Sequence, residues 1–214
     1  GNQKADEVID TIKRFFSGLN GKNLERTLQT VPAVKETREV QEALAVSQGK
    51  LMLGFRTPIL ADSNQYPALA VMNAIFGGST SSKLFLNVRE AMSLCYYASS
   101  GIEKLKGILY VASGIEVKDF EIAKTEILRQ LEAVKTGDFS AEDFECGKKA
   151  VRASIQSMLD SPVMREDFEL TQSVGRLPYG AEEFLEAVDK VSKEEAVESA
   201  KTLVLDTVYF LKGE

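Results

Sequence analysis

Histidine is absent from all 214 residues. The chain therefore supplies no imidazole as zinc ligand, general base or proton shuttle. Serine triads, cysteine–histidine pairs and histidine-ligated zinc hydrolysis are excluded within it. Carboxylates remain, but no D-x-D-type cluster or calcium-loop pattern is visible among them. Any hydrolytic chemistry tied to this chain has its active groups elsewhere.

Other scarcities narrow the class further. Cysteine occurs only as Cys95 and Cys146, too few for a disulfide framework or a four-ligand zinc site, so a reducing cytoplasm is the simplest setting. Cys95 lies in the apolar run SLCYY, which suits a small buried side chain better than a nucleophile without a base. No apolar run reaches the roughly 18 residues of a membrane helix, and no leader pattern opens the chain. The first residues, GNQKADEVID, lack a methionine and pass straight into a helical pattern, as expected of a piece excised from a longer protein, with Gly1 a remnant. A net charge of −6, from 26 basic and 32 acidic residues, speaks against a nucleic-acid binder.

What is present is enough for a core. Hydrophobic residues make up 44% of the chain, and its length fits one large domain or two small ones. ADEVIDTIKRFFSGL places Val8, Ile9, Ile12, Phe15, Phe16 and Leu19 at helical spacing. A loop-rich linker, GKNLERTLQTVPAVKE, follows, then two strand-like runs. In the second, Leu51, Leu53 and Phe55 alternate with Met52 and Gly54. YPALAVMNAIF reads as a compact apolar helix, KLFLNVREAM as another, and YYASSGI with KGILYVASGIEV as a hairpin turning at EKLK. Long helices are expected over about 118–136, 140–160, 163–175, 181–189 and 193–202, with Ser140 and Asp143 as an N-cap signal, before a last strand, VLDTVYFLKG. Strands and helices come in segregated runs, so an α+β fold is predicted, with a mainly antiparallel sheet carrying helices on one face.

The stretch GGSTSSKLFLNVREAMSLCYY carries the functional question. A phosphate loop would need G-x-x-x-x-G-K-[ST] after a strand; here the glycines follow a helix, and Leu84 follows Lys83, so a nucleotide site is a poor match. A helix–helix corner explains more. Gly77 or Gly78 would supply a left-handed C-cap, and one of Ser79, Thr80, Ser81 or Ser82 the next N-cap. Leu84, Phe85, Val88 and Met92 would form a buried stripe, with Arg89 in the last turn.

The whole string resembles a motif of the insulinase/pitrilysin superfamily of zinc peptidases, which includes the mitochondrial processing peptidases. It stands as Gly77-Gly78, Ser82-Lys83-Leu84-Phe85, Val88-Arg89-Glu90, Leu94 and Tyr96. QYPALAVMNAIF before it, the strand pair after it and the terminal LVLDTVYFLKGE are also similar. Ala91, Met92 and Ser93 depart from the basic or glycine residues often found there.

The resemblance implies a non-catalytic, metallopeptidase-like α/β domain of the LuxS/MPP type over residues 36–214, with residues 1–35 the closing helix of a preceding domain and a linker. Such domains are arranged in tandem around a chamber that holds unfolded peptide. One domain carries an inverted zinc motif, H-x-x-E-H, and the opposing domain presents an arginine and a tyrosine seven residues apart to the substrate. Here these fall on Arg89 and Tyr96, with the loop of Gly77, Gly78 and Ser79 beside the substrate. Tyr96 and Tyr97 would point to opposite faces of their strand, leaving open which faces the chamber.

The implied partners are a zinc-bearing peptidase domain or subunit and an extended peptide, which could pair with an exposed sheet edge, and not nucleic acid or membrane. A homo- or heterodimer is compatible with this arrangement. No cofactor is expected in this chain; zinc is expected in the partner domain. The alternative is a structural assembly module that keeps the fold and has no part in peptide cleavage. The isolated chain is expected to take up no stoichiometric zinc and to cleave no peptide. Metal analysis after dialysis against zinc checks this, and tight zinc at a defined site would overturn it.

Overall fold

A computed structural model describes residues 3–19 and 32–213. Most of the expected linker falls outside the described residues. The first element, α1 (Ala5–Phe16), has a strongly amphipathic sequence yet buries none of its residues. Val8, Ile9, Ile12, Phe15 and Phe16 are all exposed.

The sheet begins with β1 (Arg38–Leu44) and β2 (Gly49–Arg56). In β2 the predicted alternation holds: Leu51, Leu53 and Phe55 are buried, while Lys50 and Met52 face out. The chain then forms α2 (Tyr66–Phe76), a π-helix (Leu84–Ala91), β3 (Cys95–Glu103) and β4 (Ile108–Ile115). The β3–β4 turn uses a left-handed Gly107, with φ of 60°. After a 3-10 turn come α3 (Phe120–Lys135), α4 (Ala141–Asp160), α5 (Pro162–Gly175), α6 (Ala181–Lys190) and α7 (Lys193–Lys201), then β5 (Val204–Gly213).

The strand order is β1-β5-β2-β4-β3. The last strand therefore inserts between the first two, parallel to β1 and antiparallel to β2. The other pairings, β2 with β4 and β4 with β3, are antiparallel. The result is the predicted α+β fold, with a mixed but mostly antiparallel sheet. Leu51 sits opposite Phe210 and Leu53 opposite Val208, so β2 and β5 bury matched side chains on one face. A buried α2 packs beneath that face. Eight of its eleven residues are buried, the pattern of a helix enclosed on several sides. It contacts α4, α6 and α7 and the edge strand β3.

Short polar signals set the helix boundaries. Ser140 and Asp143 form a capping box on α4, and Ser192 and Glu195 form a second on α7. In each, the serine oxygen accepts from the third residue's N–H while the acid accepts from the serine N–H, satisfying two otherwise orphaned donors. Pro162 sits at the start of α5, which separates it from α4.

Ser140→Ala is expected to lower stability by about 1 kcal/mol, as N-cap removal does, read by denaturant unfolding. The N–H of Ser140 holds the Asp143 carboxyl below its usual value of 3.8. Because the folded value is depressed, this contribution is present above the unfolded value and is lost as pH falls through the folded one. Asp143→Asn should therefore destabilise at neutral pH, with the difference from wild type shrinking below about pH 4.

Candidate functional site

The site is built where α2 ends. The N–H groups of Gly77 and Gly78 both donate to the Asn73 carbonyl, at 2.9 and 2.8 Å. The Gly77 carbonyl accepts from the Ser100 N–H of β3 at 2.9 Å, and the Ser100 hydroxyl is 2.7 Å from Asn73 Oδ1. The glycine loop is thus stitched to the outer edge of the sheet.

The expected left-handed glycine cap is not what forms. Among the described residues the positive-φ glycines are Gly107 and Gly137, and Gly77 has φ of −156°. Glycine is required here by close approach. A Cβ on Gly77 would lie 2.6 Å from Leu84 Cδ1 and from Ser100 Oγ, and 2.8 Å from the Ser100 nitrogen. Nor do the hydroxyls after it form an open anion cradle. Ser79 Oγ donates to the Ala74 carbonyl at 2.9 Å, and the fully buried Ser82 accepts from the Phe85 N–H.

The segment expected to be an ordinary helix is a π-helix. Met92 N–H reaches back five residues to the Asn87 carbonyl and Leu94 N–H six to that of Val88, both at 3.2 Å, and Ser93 then turns left-handed at φ of 52°. The wider turn breaks the four-residue stripe. Leu84 and Val88 are buried as predicted and Phe85 partly so, but Met92 is swung out and exposed. Such segments recur at functional sites because they re-aim side chains. Asn87 fixes the π-helix to α3: its amide donates to the Lys83 carbonyl at 3.0 Å and to Gln130 Oε1 at 3.1 Å. The buried Gln130 in turn donates to Glu126 at 2.6 Å, and Arg129 grips the same carboxylate through two N–H groups. Arg129, then Gln130, hold the Glu126 carboxyl below its usual range despite its burial.

Arg89 leaves the last turn of the π-helix partly exposed, as expected. Its guanidinium lies 4.7 Å from the centre of the Phe85 ring, and its Nε is 3.5 Å from Glu90. It borders a cleft of about 320 Å³. One wall is Gly77, Gly78, Ser79 and Thr80, another is Phe85 with Arg89, and the third is residues 97–100 of β3. The expected loop residues and Arg89 therefore share one cleft.

The tyrosines are arranged differently from simple alternation. The β3–β4 register shifts between Cys95 and Tyr97, so Tyr96 occupies an irregular step and neither ring is buried. Tyr97 lines the cleft, its ring lying where a Cβ on Gly114 would be, 2.6 Å from Cε1. Tyr96 is 65% exposed and lies outside the cleft wall, near Lys118. Tyr97 entered the sequence reading only as the open alternative to Tyr96, and Phe85 only as part of the buried stripe and the family motif. The four-residue spacing of Phe85 and Arg89 was the available signal for the stacked pair, whereas nothing local announces the shifted register. Cys95 is half-buried, and burial pushes its thiol up against weaker opposing effects of Ser113 and Arg89, which leaves it a poor nucleophile. Among the described residues no group of three or more Cys, Asp or Glu side chains could hold a metal ion.

Comparison with known proteins shows the family. Residues 1–151 match the model of the Peptidase M16 inactive domain, and the chain belongs to that family. It is 39% identical over its full length to a Bacillus subtilis protein, YmfF, described as a probable inactive metalloprotease, and spans 50% of it. A conserved protein from Enterococcus faecalis superposes over the whole chain with a TM-score of 0.84 at 31% identity, the chain covering 51% of it. The peptidase M16 inactive domain from Pseudomonas fluorescens shares the fold over the whole chain at a TM-score of 0.80 and 16% identity, the chain covering 52% of it. The chain thus spans about half the length of these relatives.

Gly77→Ala is expected to cost about 1–3 kcal/mol, because the new methyl overlaps the backbone of β3 as well as side chains. Gly18→Ala, where no atom lies within 4 Å of the added methyl, should change stability by no more than about 0.5 kcal/mol. Denaturant unfolding of both variants checks the contrast.

Proposed function

We propose that this chain is the substrate-facing, non-catalytic half of an M16-type zinc peptidase, or of its inactive companion subunit, and that it completes a peptide-binding chamber whose zinc site lies in another domain. The observation that carries this reading is the convergence of Arg89, Tyr97 and the Gly77–Ser79 loop on one open cleft at the sheet edge. The description of the Bacillus subtilis relative as inactive makes the companion-subunit form as much a part of the reading as the active one.

The chemistry available to these side chains is recognition and charge stabilisation. Arg89 presents a permanently charged fork of N–H donors, suited to a peptide carbonyl or carboxylate. A tyrosine hydroxyl, from Tyr97 in the cleft or the exposed Tyr96 beside it, can donate to a carbonyl oxygen as it gains negative charge. A zinc ion in the partner domain would polarise that carbonyl and activate water. Extended peptide can also lie along β3. Gly77 already takes the Ser100 N–H, so backbone pairing would be confined to the stretch before it.

The test is cleavage of a peptide by the zinc-bearing half as this chain is titrated in. A saturable rise in rate is expected. Arg89→Ala should lower the saturated rate by about a hundredfold, the scale of losing one oxyanion-type donor. Tyr96→Phe and Tyr97→Phe, compared in turn, identify the hydroxyl that acts. A flat titration with demonstrated binding would mean that the chain is a scaffold instead.

A further inference from the structure

A second pocket lies at the opposite end of α2 from the Arg89 cleft. It holds about 100 Å³ and is walled by Tyr66, Phe168, Phe184, Ile155 and Leu177, with Lys104 beside them. The pocket's outer side is supplied by α5, which buries none of its own residues and packs chiefly on α4. A cavity of about 150 Å³ is known to take a benzene ring, so this smaller space suits a branched aliphatic group.

The polar groups here are unevenly satisfied. Gln172 already donates to the Tyr179 carbonyl, and the Tyr179 hydroxyl donates to Asn64 at 3.2 Å. Among the described residues, neither the Tyr66 hydroxyl nor the Lys104 ammonium makes a hydrogen bond or an ion pair. Tyr66 lies against the Phe184 ring, and Lys104 Nζ is 5.4 Å from the centre of the Phe168 ring. Burial pushes the Tyr66 phenol up to about 12, with Glu103 adding to the shift, so it remains a donor at any ordinary pH. Burial also pulls the Lys104 ammonium down, against the attraction of Asp167 and Glu103. Tyr66 and Lys104 thus line one apolar pocket without a protein acceptor. Among the described residues no fully buried side-chain donor lacks a partner, so both are reached by solvent, and a ligand carbonyl entering the pocket would take the place of water.

We propose that this pocket is a binding site for a branched aliphatic group carrying a neutral carbonyl, the chemistry of a leucine-sized residue in amide form. The carbonyl oxygen would accept from Tyr66 and Lys104 while the isobutyl group fills the space between Phe168, Phe184 and Ile155. A neutral acceptor is specified because Glu103 and Asp167 already stand near Lys104 and would repel a carboxylate. The inference goes beyond the peptide-chamber reading and does not depend on it.

The experiment is an NMR titration of the full chain with N-acetyl-leucine amide, following Phe168, Phe184 and Ile155. Saturable shifts with a dissociation constant on the order of a millimolar are expected for so small a ligand. Tyr66→Phe and Lys104→Met, each first confirmed as folded by its thermal transition, should each weaken binding about fivefold, the scale of one lost hydrogen bond. N-acetyl-leucine, with its carboxylate, should bind more weakly than the amide, and N-acetyl-tryptophan amide should not enter. A capped Ala-Ala-Leu-Ala-Ala peptide separates the two sources of this chemistry: tighter binding than the single amide marks a peptide residue, equal or weaker binding a free small amide. The proposal is overturned if the amide gives no saturable shifts, or if both variants bind it as wild type does.

Discussion

Val208 and Phe210 reach their places opposite Leu53 and Leu51 only when the end of the chain threads between β1 and β2. Among the described residues β1 pairs with β5 alone, so without β5 it has no neighbour in the sheet. The same insertion brings Phe210 against Phe120 at the start of α3, with ring centres 4.4 Å apart. One strand therefore joins the sheet's two early strands and anchors a helix laid over them. Its partners lie some 150 residues earlier, so the core is closed by long-range contact, the kind of topology that pays loop entropy before it is rewarded. The intervening helices have their boundaries set by local signals instead, such as the capping boxes of α4 and α7.

The cleft inherits its shape from this frame at one remove. α2 is buried under the sheet, so the position of its C-terminus is fixed by packing on several sides. From that fixed end, Gly77 can come within hydrogen-bonding distance of Ser100 only because it has no side chain to hold the two apart. Leu84, against which a Gly77 methyl would also press, is the first residue of the π-helix. A single close approach thus sets the edge of β3, the loop and the helix carrying Arg89 relative to one another.

The parts of this arrangement that follow local rules were legible in the sequence. Period-two burial in β2, the capping serine at residue 140, the segregated run of helices and the motif residues that share the cleft all have a signal within a few residues of themselves. The missed features depend on partners far away in sequence. The glycine pair looked like a turn device because a left-handed cap is its commonest local use, whereas its actual cause is β3, more than twenty residues on. The π-helix could not be read because one extra residue per turn leaves the apolar pattern intact through Val88 and alters it only at Met92. Tyr96 and Tyr97 were ambiguous for a related reason. A single shift in β3–β4 pairing undoes strict alternation, and pairing register is set across strands rather than along one.

The way Arg89 is held bears on what it can do. Its contacts to Glu90 and to the Phe85 ring are both at a partly exposed position. An ion pair of that kind contributes about 0–1 kcal/mol, and an exposed cation–π contact about 0.5–1 kcal/mol. Neither would hold the guanidinium back from a better acceptor. The backbone that carries it is secured quite differently, by the Asn87–Gln130–Glu126 chain, whose amide link Gln130 is buried and whose loss would strand polar groups without partners. The helix is fixed while its terminal side chain is held only by these weak contacts. A rigid support under a weakly tethered cation is the arrangement that loses least on engaging a ligand, because the ordering cost falls on one side chain rather than on the segment.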